Sequence, residues 1–181
     1  MDYWEVVKVK PILINDFMYN LSYWSSWSNG FNIWKSEFDK IDKNLKLNKL
    51  FPHTSLFLTQ HQAKLFCIND NLLFDVQRIP KRGGHNKFEA FTIEYPSLLD
   101  ECCKKGHIST KCKKHILFGI MVQFLPSLLF NKYIIRIETF DDTGFRNNLK
   151  KYYPSYAYWL VLISVLGVPF RLFCRKLKNK R

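Results

Sequence analysis

A chain of 181 residues with 47% hydrophobic composition is long enough to bury a core, and its length suits one domain with appendages. The formal net charge of +13, set against a mean hydropathy of only -0.20, describes a polar basic body carrying concentrated apolar segments. That balance favours anionic partners: phospholipid headgroups, nucleic acid or acidic protein surfaces. The five cysteines, Cys67, Cys102, Cys103, Cys112 and Cys174, show no framework spacing and read as reduced thiols, which argues against a disulfide-stapled fold.

The chain opens with alternating residues over Tyr3 to Ile14, a pattern that predicts an edge strand ended by Pro11. Acidic Asp2 and Glu5 stand where a secretory signal would have a basic start, so the first hundred or so residues are expected in the cytosol. An aromatic, turn-rich stretch follows, with Phe17, Tyr19, Tyr23, Trp24, Trp27, Phe31 and Trp34 among serines, Asn29 and Gly30. It reads as a loop packing its rings on the core, with an interfacial patch against lipid as the functional alternative. From Asn32 to Leu50, Trp34, Phe38, Ile41 and Leu45 recur at helical spacing opposite mixed charges, which predicts an amphipathic helix facing a core.

Short β-like runs come next, at Ser55 to Thr59, Lys64 to Ile68, Leu72 to Ile79 and Lys87 to Tyr95. Turn chemistry at Asn69-Asp70-Asn71 and around Gly83-Gly84 separates them, so the expected fold class is α+β, with the amphipathic helix beside an antiparallel β-meander. Residues 1–105 would form this cytosolic domain, and 106–181 a membrane region. His53, His61, His85 and Cys67 lie on or between the runs with no repeated spacing, and Lys81 to His85 lacks the fixed pattern of a phosphate loop.

A short helix over Ser97 to Lys105 leads into the densest group of potential ligands: Cys102, Cys103, His107, Cys112 and His115. Their spacing is partly similar to a zinc knuckle but lacks its first Cys-x-x-Cys pair, so no metal and no cofactor are expected there. Lys104, Lys105, Lys111, Lys113 and Lys114 surround the cysteines and suit an anionic leaflet instead.

Two apolar runs dominate the remainder. Ile116 to Asn131 is uncharged for about sixteen residues, about 24 Å if helical, which leaves three readings open: a short span, a re-entrant or interfacial segment, or a buried soluble helix. Strand character over Tyr133 to Phe140, a turn at Asp141-Asp142-Thr143-Gly144 and a polar approach over Phe145 to Lys151 separate it from the second run, 152–170. That run has about nineteen uncharged residues with Tyr and Trp at its start, reaches about 28 Å, and is stopped by Arg171, Arg175, Lys176, Lys178, Lys180 and Arg181. One continuous membrane helix over Tyr156 to Phe170 is expected. Cys174, just past the stop, is a palmitoylation candidate.

Basic clusters on both outer flanks predict a helical hairpin with the N-terminal domain and the tail on the cytosolic side. The sequon Asn20-Leu21-Ser22 would then stay bare. The functional expectation is a non-enzymatic integral membrane protein of anchoring or scaffolding type, contacting anionic lipid through Lys104, Lys105, Lys111, Lys113, Lys114, Arg171, Arg175 and Lys176, with a possible protein partner. The alternatives are a membrane-bound enzyme acting on a lipid-type substrate and a soluble basic protein binding nucleic acid or zinc.

Overall fold

The computed structural model describes residues 13–26, 33–60, 66 and 86–178, with side chains followed to Cys174. Within them the chain is mostly helical, and no β-strand is found among the described residues. The expected α+β fold with an antiparallel meander is therefore corrected to a helical one. Two of the four strand-like runs show why. Ser55 to Thr59 falls in the helix Pro52–Leu58, where the fixed φ of Pro52 suits a first helical turn and Thr54, Phe57 and Leu58 are buried at helical spacing. Lys87 to Tyr95 is a helix capped by Asn86, whose side chain accepts from the backbone N–H groups of Phe88 and Glu89 at 3.0 and 3.4 Å. Lys64 to Ile68 and Leu72 to Ile79 lie outside the described residues, except that Phe66 is buried. Tyr133 to Phe140 is irregular beyond the helix end at Tyr133, and the Lys132 ammonium donates to the Phe140 carbonyl at 2.7 Å.

The predicted helix over Asn32 to Leu50 shrinks to Lys35–Phe38. Beyond it, side chains with short polar reach compete for the backbone: Asp42 accepts from the Asn44 N–H at 2.9 Å, and Asn48 accepts from Leu50 and Phe51 at 2.9 Å each. Trp34, Phe38 and Leu45 stay exposed and Ile41 is only half-buried, so the stripe does not enter the buried core. The expected strand over Tyr3 to Ile14 lies outside the described residues apart from its last position, and Ile14 opens the helix Ile14–Leu21. There Ile14, Phe17 and Met18 turn inward, and a 3-10 turn over Ser22–Ser26 continues the chain.

Two long helices form the centre. The first runs over 87–104 and the second over Thr110–Tyr133, 24 residues capped by Ser109, whose hydroxyl accepts from the Cys112 N–H at 3.2 Å. The expected short helix at Ser97 to Lys105 is the second half of the first. Each carries a π-helical segment, Ala90–Glu94 and Ile120–Phe124, followed by a proline at the second residue. The cause is local. Proline has no N–H, so Pro96 leaves the Thr92 carbonyl without its α-helical donor and the Phe91 carbonyl without its π-helical one, and Pro126 does the same to Val122 and Met121.

The turn at Asp141 to Gly144 forms, with the Asp141 carboxylate accepting from the Thr143 N–H at 2.9 Å and Gly144 at φ 76°. The helix Phe145–Tyr152 follows, then Ala157–Leu166 and Val168–Lys178. One hydrophobic cluster spans both sides of residue 105: Phe17, Phe57 and Phe66 meet in tilted and edge contacts, while Phe51, Phe91, Tyr95 and Phe124 meet at its middle. Gly119 is what lets the 3-10 turn sit against the second long helix, since a Cβ there would come within 2.5 Å of the Ser22 hydroxyl and 3.3 Å of the Tyr23 ring. Gly119→Val is accordingly expected to cost about 1–3 kcal/mol by overpacking. An unchanged urea midpoint would remove this close approach from the fold.

Candidate membrane-contact face

The single helix expected over Tyr156 to Phe170 is two helices, Ala157–Leu166 and Val168–Lys178, bent by 49°. Pro169 cannot donate to the Val165 carbonyl, and its ring crowds that position. The chain turns at Gly167, whose N–H bonds the Ser164 carbonyl at 3.2 Å in a tighter register. A Cβ at Gly167 would make only ordinary contact, 3.5 Å from the Ser164 oxygen, so this glycine is not needed for packing.

The two faces of the bent pair differ sharply. Ala157, Val161 and Val168 are buried, the first two facing the 110–133 helix and its π segment. Tyr156, Trp159, Ile163, Leu166, Phe170 and Phe173, spaced 3, 4, 3, 4 and 3, are between 59% and 81% exposed. A contiguous apolar stripe of this kind on a water-facing surface marks a contact with lipid or protein. Tyr133, Ile134, Ile135 and Ile137 add exposed apolar surface where the 110–133 helix ends.

Landmarks fix the course of the pair. Tyr158 packs on Phe145, which packs on Phe88, and the Lys132 ammonium lies 5.6 Å from the Phe88 ring centroid. At the other end the Arg171 guanidinium donates through Nη1 to the Val122 carbonyl, the oxygen that Pro126 leaves without its helical donor. The bent pair thus runs antiparallel to the 110–133 helix, from the level of Lys132 to the middle. Arg171 Nη2 is buried and has no hydrogen-bond partner among the described residues. Sequence reasoning put Arg171 at a membrane surface; the structure puts its head against a helix backbone. The side chains of Arg175 and Lys176 lie outside the described residues, and Cys174 is half-buried.

The lysine cluster is partly occupied by internal ion pairs. Lys104 meets Asp100 at 2.9 Å, Lys105 meets Glu101 at 2.6 Å, and Lys113 meets Asp100 at 2.7 Å across the two long helices. Lys111 and Lys114 are exposed in the first turns of the 110–133 helix. Hydrogen bonds from Lys113 and then Lys104 hold the Asp100 carboxyl below its usual range. A lowered folded value contributes stability that is present above the ordinary carboxylate value of about 3.9 and is lost as pH falls through the folded one. The thermal midpoint of Asp100→Asn should therefore lie below wild type at pH 7, with the gap closing as pH drops below about 3.9. A gap independent of pH would remove the ion pairs as its source.

The ligand candidates are spread apart. Cys102 is buried, and desolvation pushes its thiol up to about 11. Cys103 Sγ lies 3.5 Å from the Thr110 hydroxyl, Cys112 Sγ donates to the Asn15 carbonyl at 3.6 Å, and His115 stacks on Tyr19 with ring centroids 3.7 Å apart. Among the described residues no three His, Cys, Asp or Glu side chains are grouped as a metal ion would need. His53 is exposed in the first turn of its helix, while His61, His85, Cys67 and the Lys81 to His85 loop lie outside the described residues. A surface hollow of about 410 Å³ mixes polar and apolar walls, Glu37, Lys40, Asp42 and Gln60 with Ile41 and Leu45.

Sequence reasoning missed the buried polar contacts. Tyr95 and Ser25 hydroxyls meet at 2.5 Å, Thr54 donates to the Ser25 carbonyl at 3.0 Å, and the Tyr153 hydroxyl donates to the Phe91 carbonyl at 2.6 Å. A signal for the last was present. Pro-Ser-Leu-Leu occurs at residue 96 and again at 126, so both long helices leave carbonyls unbonded just before a proline, and a donor from the chain beyond residue 150 reaches one in each, Phe91 five residues before Pro96 and Val122 four before Pro126. No family model, curated protein or solved structure matches the chain.

Proposed function

We propose that the protein is an integral membrane protein of anchoring or scaffolding type, held by an antiparallel pair of helices, 110–133 and 157–178, and presenting the rest of its helical body at the bilayer surface. One helix, Thr110–Tyr133, is long and apolar enough to cross a membrane. The observation that carries the reading is the exposed stripe from Tyr156 to Phe173, because a face of six large apolar side chains is costly in water and at home in lipid. The antiparallel course supports a hairpin, with the basic flanks before Ile116 and after Phe170 on one side. Anionic phospholipid is the proposed partner of that side, with Lys111 and Lys114 its most exposed contacts.

Protease treatment of sealed microsomes tests it. Tags at both termini should be digested together without detergent. Protection of one tag alone would overturn the hairpin, and release of the whole chain by carbonate would overturn the membrane reading itself. A second reading has one observation in its favour: half of the apolar window in the 110–133 helix is buried, as in the core helix of a soluble basic protein. Carbonate release is the result that would select it.

A further inference from the structure

The geometry points to a latched anchor: Arg171, bonded to the Val122 carbonyl, holds the helix pair 157–166 and 168–178 in a bent, docked form, and its release lets the pair straighten into one span. The inference rests on the membrane reading above and adds to it a change of state.

Length is the first argument. Ala157–Leu166 reaches about 15 Å and Val168–Lys178 about 16 Å, so at a bend of 49° the pair extends about 29 Å, just short of a hydrocarbon core of about 30 Å. In line it reaches about 33 Å, with the basic stop in its last turns. The hinge is built for such a change. Pro169 favours a bend locally but also removes one of the hydrogen bonds that would fix its angle, and Gly167 has only ordinary contact around its missing Cβ, so the docking contact decides how far the hinge opens.

The latch is of limited strength by construction. Its acceptor exists because Pro126 has no N–H for Val122, so Arg171 fills a position that the helix itself vacates. The same guanidinium buries Nη2 without a partner among the described residues, an unmet donor that raises the free energy of the docked form. Docking also leaves Leu166, Phe170 and Phe173 in water at 60% exposure or more. A bilayer supplies what both need: hydrocarbon for the stripe, and phosphate or water for an arginine that reaches back to the headgroups.

Straightening a bend of 49° moves Cys174, about 10 Å beyond the hinge, by roughly 9 Å. The test uses the full chain made by cell-free translation, spin-labelled at Cys174 and at a Phe118→Cys site, with Cys67, Cys102, Cys103 and Cys112 changed to alanine. Distances and cosedimentation are read before and after adding phosphatidylcholine–phosphatidylserine vesicles. The expected result is vesicle binding with a distance change of several ångströms, and Arg171→Met already at the vesicle-bound distance without lipid. Pro126→Ala, which gives Val122 an N–H of its own, should shift the same way, whereas Arg171→Lys should retain more of the docked form than Arg171→Met. Binding with an unchanged distance, and with Arg171→Met identical to the parent, overturns the latch and leaves the anchor standing. Absence of vesicle binding overturns the membrane reading and the latch with it.

Discussion

Ile163→Arg is expected to release the protein from carbonate-washed membranes while leaving the folded body intact. Ile163 is 65% exposed on the outer face of its helix, so an arginine there meets no packed neighbour and should change folding stability by no more than about 0.5 kcal/mol in water. In hydrocarbon the same change costs about 2.5–3.5 kcal/mol near a helix centre, and adding Leu166→Arg roughly doubles it. Val161, two residues earlier, is fully buried against the body, and Val161→Arg should unfold the protein in either solvent. The comparison separates the two faces of one helix. If Ile163→Arg and the double variant remain in the carbonate pellet as fully as wild type, the stripe does not face lipid.

The readable part of this chain was its apolar and basic punctuation. The 116–131 run, the 152–170 run and the turn at Asp141 to Gly144 could be placed because each is a local property of a few residues, and the structure has helices or a turn at each. What misled was period. Lys87 to Tyr95 alternates well enough to suggest a strand, yet Phe88, Phe91, Thr92, Tyr95, Leu98, Leu99 and Cys102 form one helical face once the window extends past Pro96. Pro96 itself hid this, because a proline inside a helix is normally a stop, and here a π segment accommodates it. Asn32 to Leu50 failed in the opposite direction. Its stripe had the right spacing, but Asp42 and Asn48 accept from nearby backbone, and the stripe stays largely exposed.

The site was legible as composition and illegible as geometry. In the sequence the tail arginines read as a membrane stop, but nothing in their spacing says that Arg171 folds back on Val122. That contact depends on Pro126, forty-five residues earlier, through a carbonyl that only a folded helix pair brings within reach. The lysines are a similar case: Asp100 and Glu101 take three of the five into ion pairs, and an acidic pair four residues before Lys104 and Lys105 was the available clue. Such exposed pairs contribute little individually, so Lys104 and Lys105 can still exchange their carboxylates for phosphate.

Tyr95→Ala should destabilise the protein by about 3–5 kcal/mol, and Tyr95→Phe by about 1 kcal/mol. The ring is fully buried and touches Phe51 and Phe91 at centroid distances of 5.0 and 5.8 Å, so truncation opens a cavity in the middle of the cluster. The hydroxyl matters less, because Ser25 also donates to the Ser22 carbonyl and keeps a partner when Tyr95 loses its oxygen. Burial moves the phenol above its ordinary range, so the group stays neutral and no pH dependence follows from it below about pH 10. Through Ser25 and Thr54 the same residue ties the first described segment to the 87–104 helix, and Phe91 carries the tie onward to Phe124 in the 110–133 helix. Loss of the ring should therefore be felt by tryptophans at both ends, Trp24 and Trp159, in one urea transition shifted to lower denaturant. Two separated transitions in Tyr95→Ala, with that of Trp159 unmoved, would show that the N-terminal segments and the helices beyond residue 156 fold as independent units.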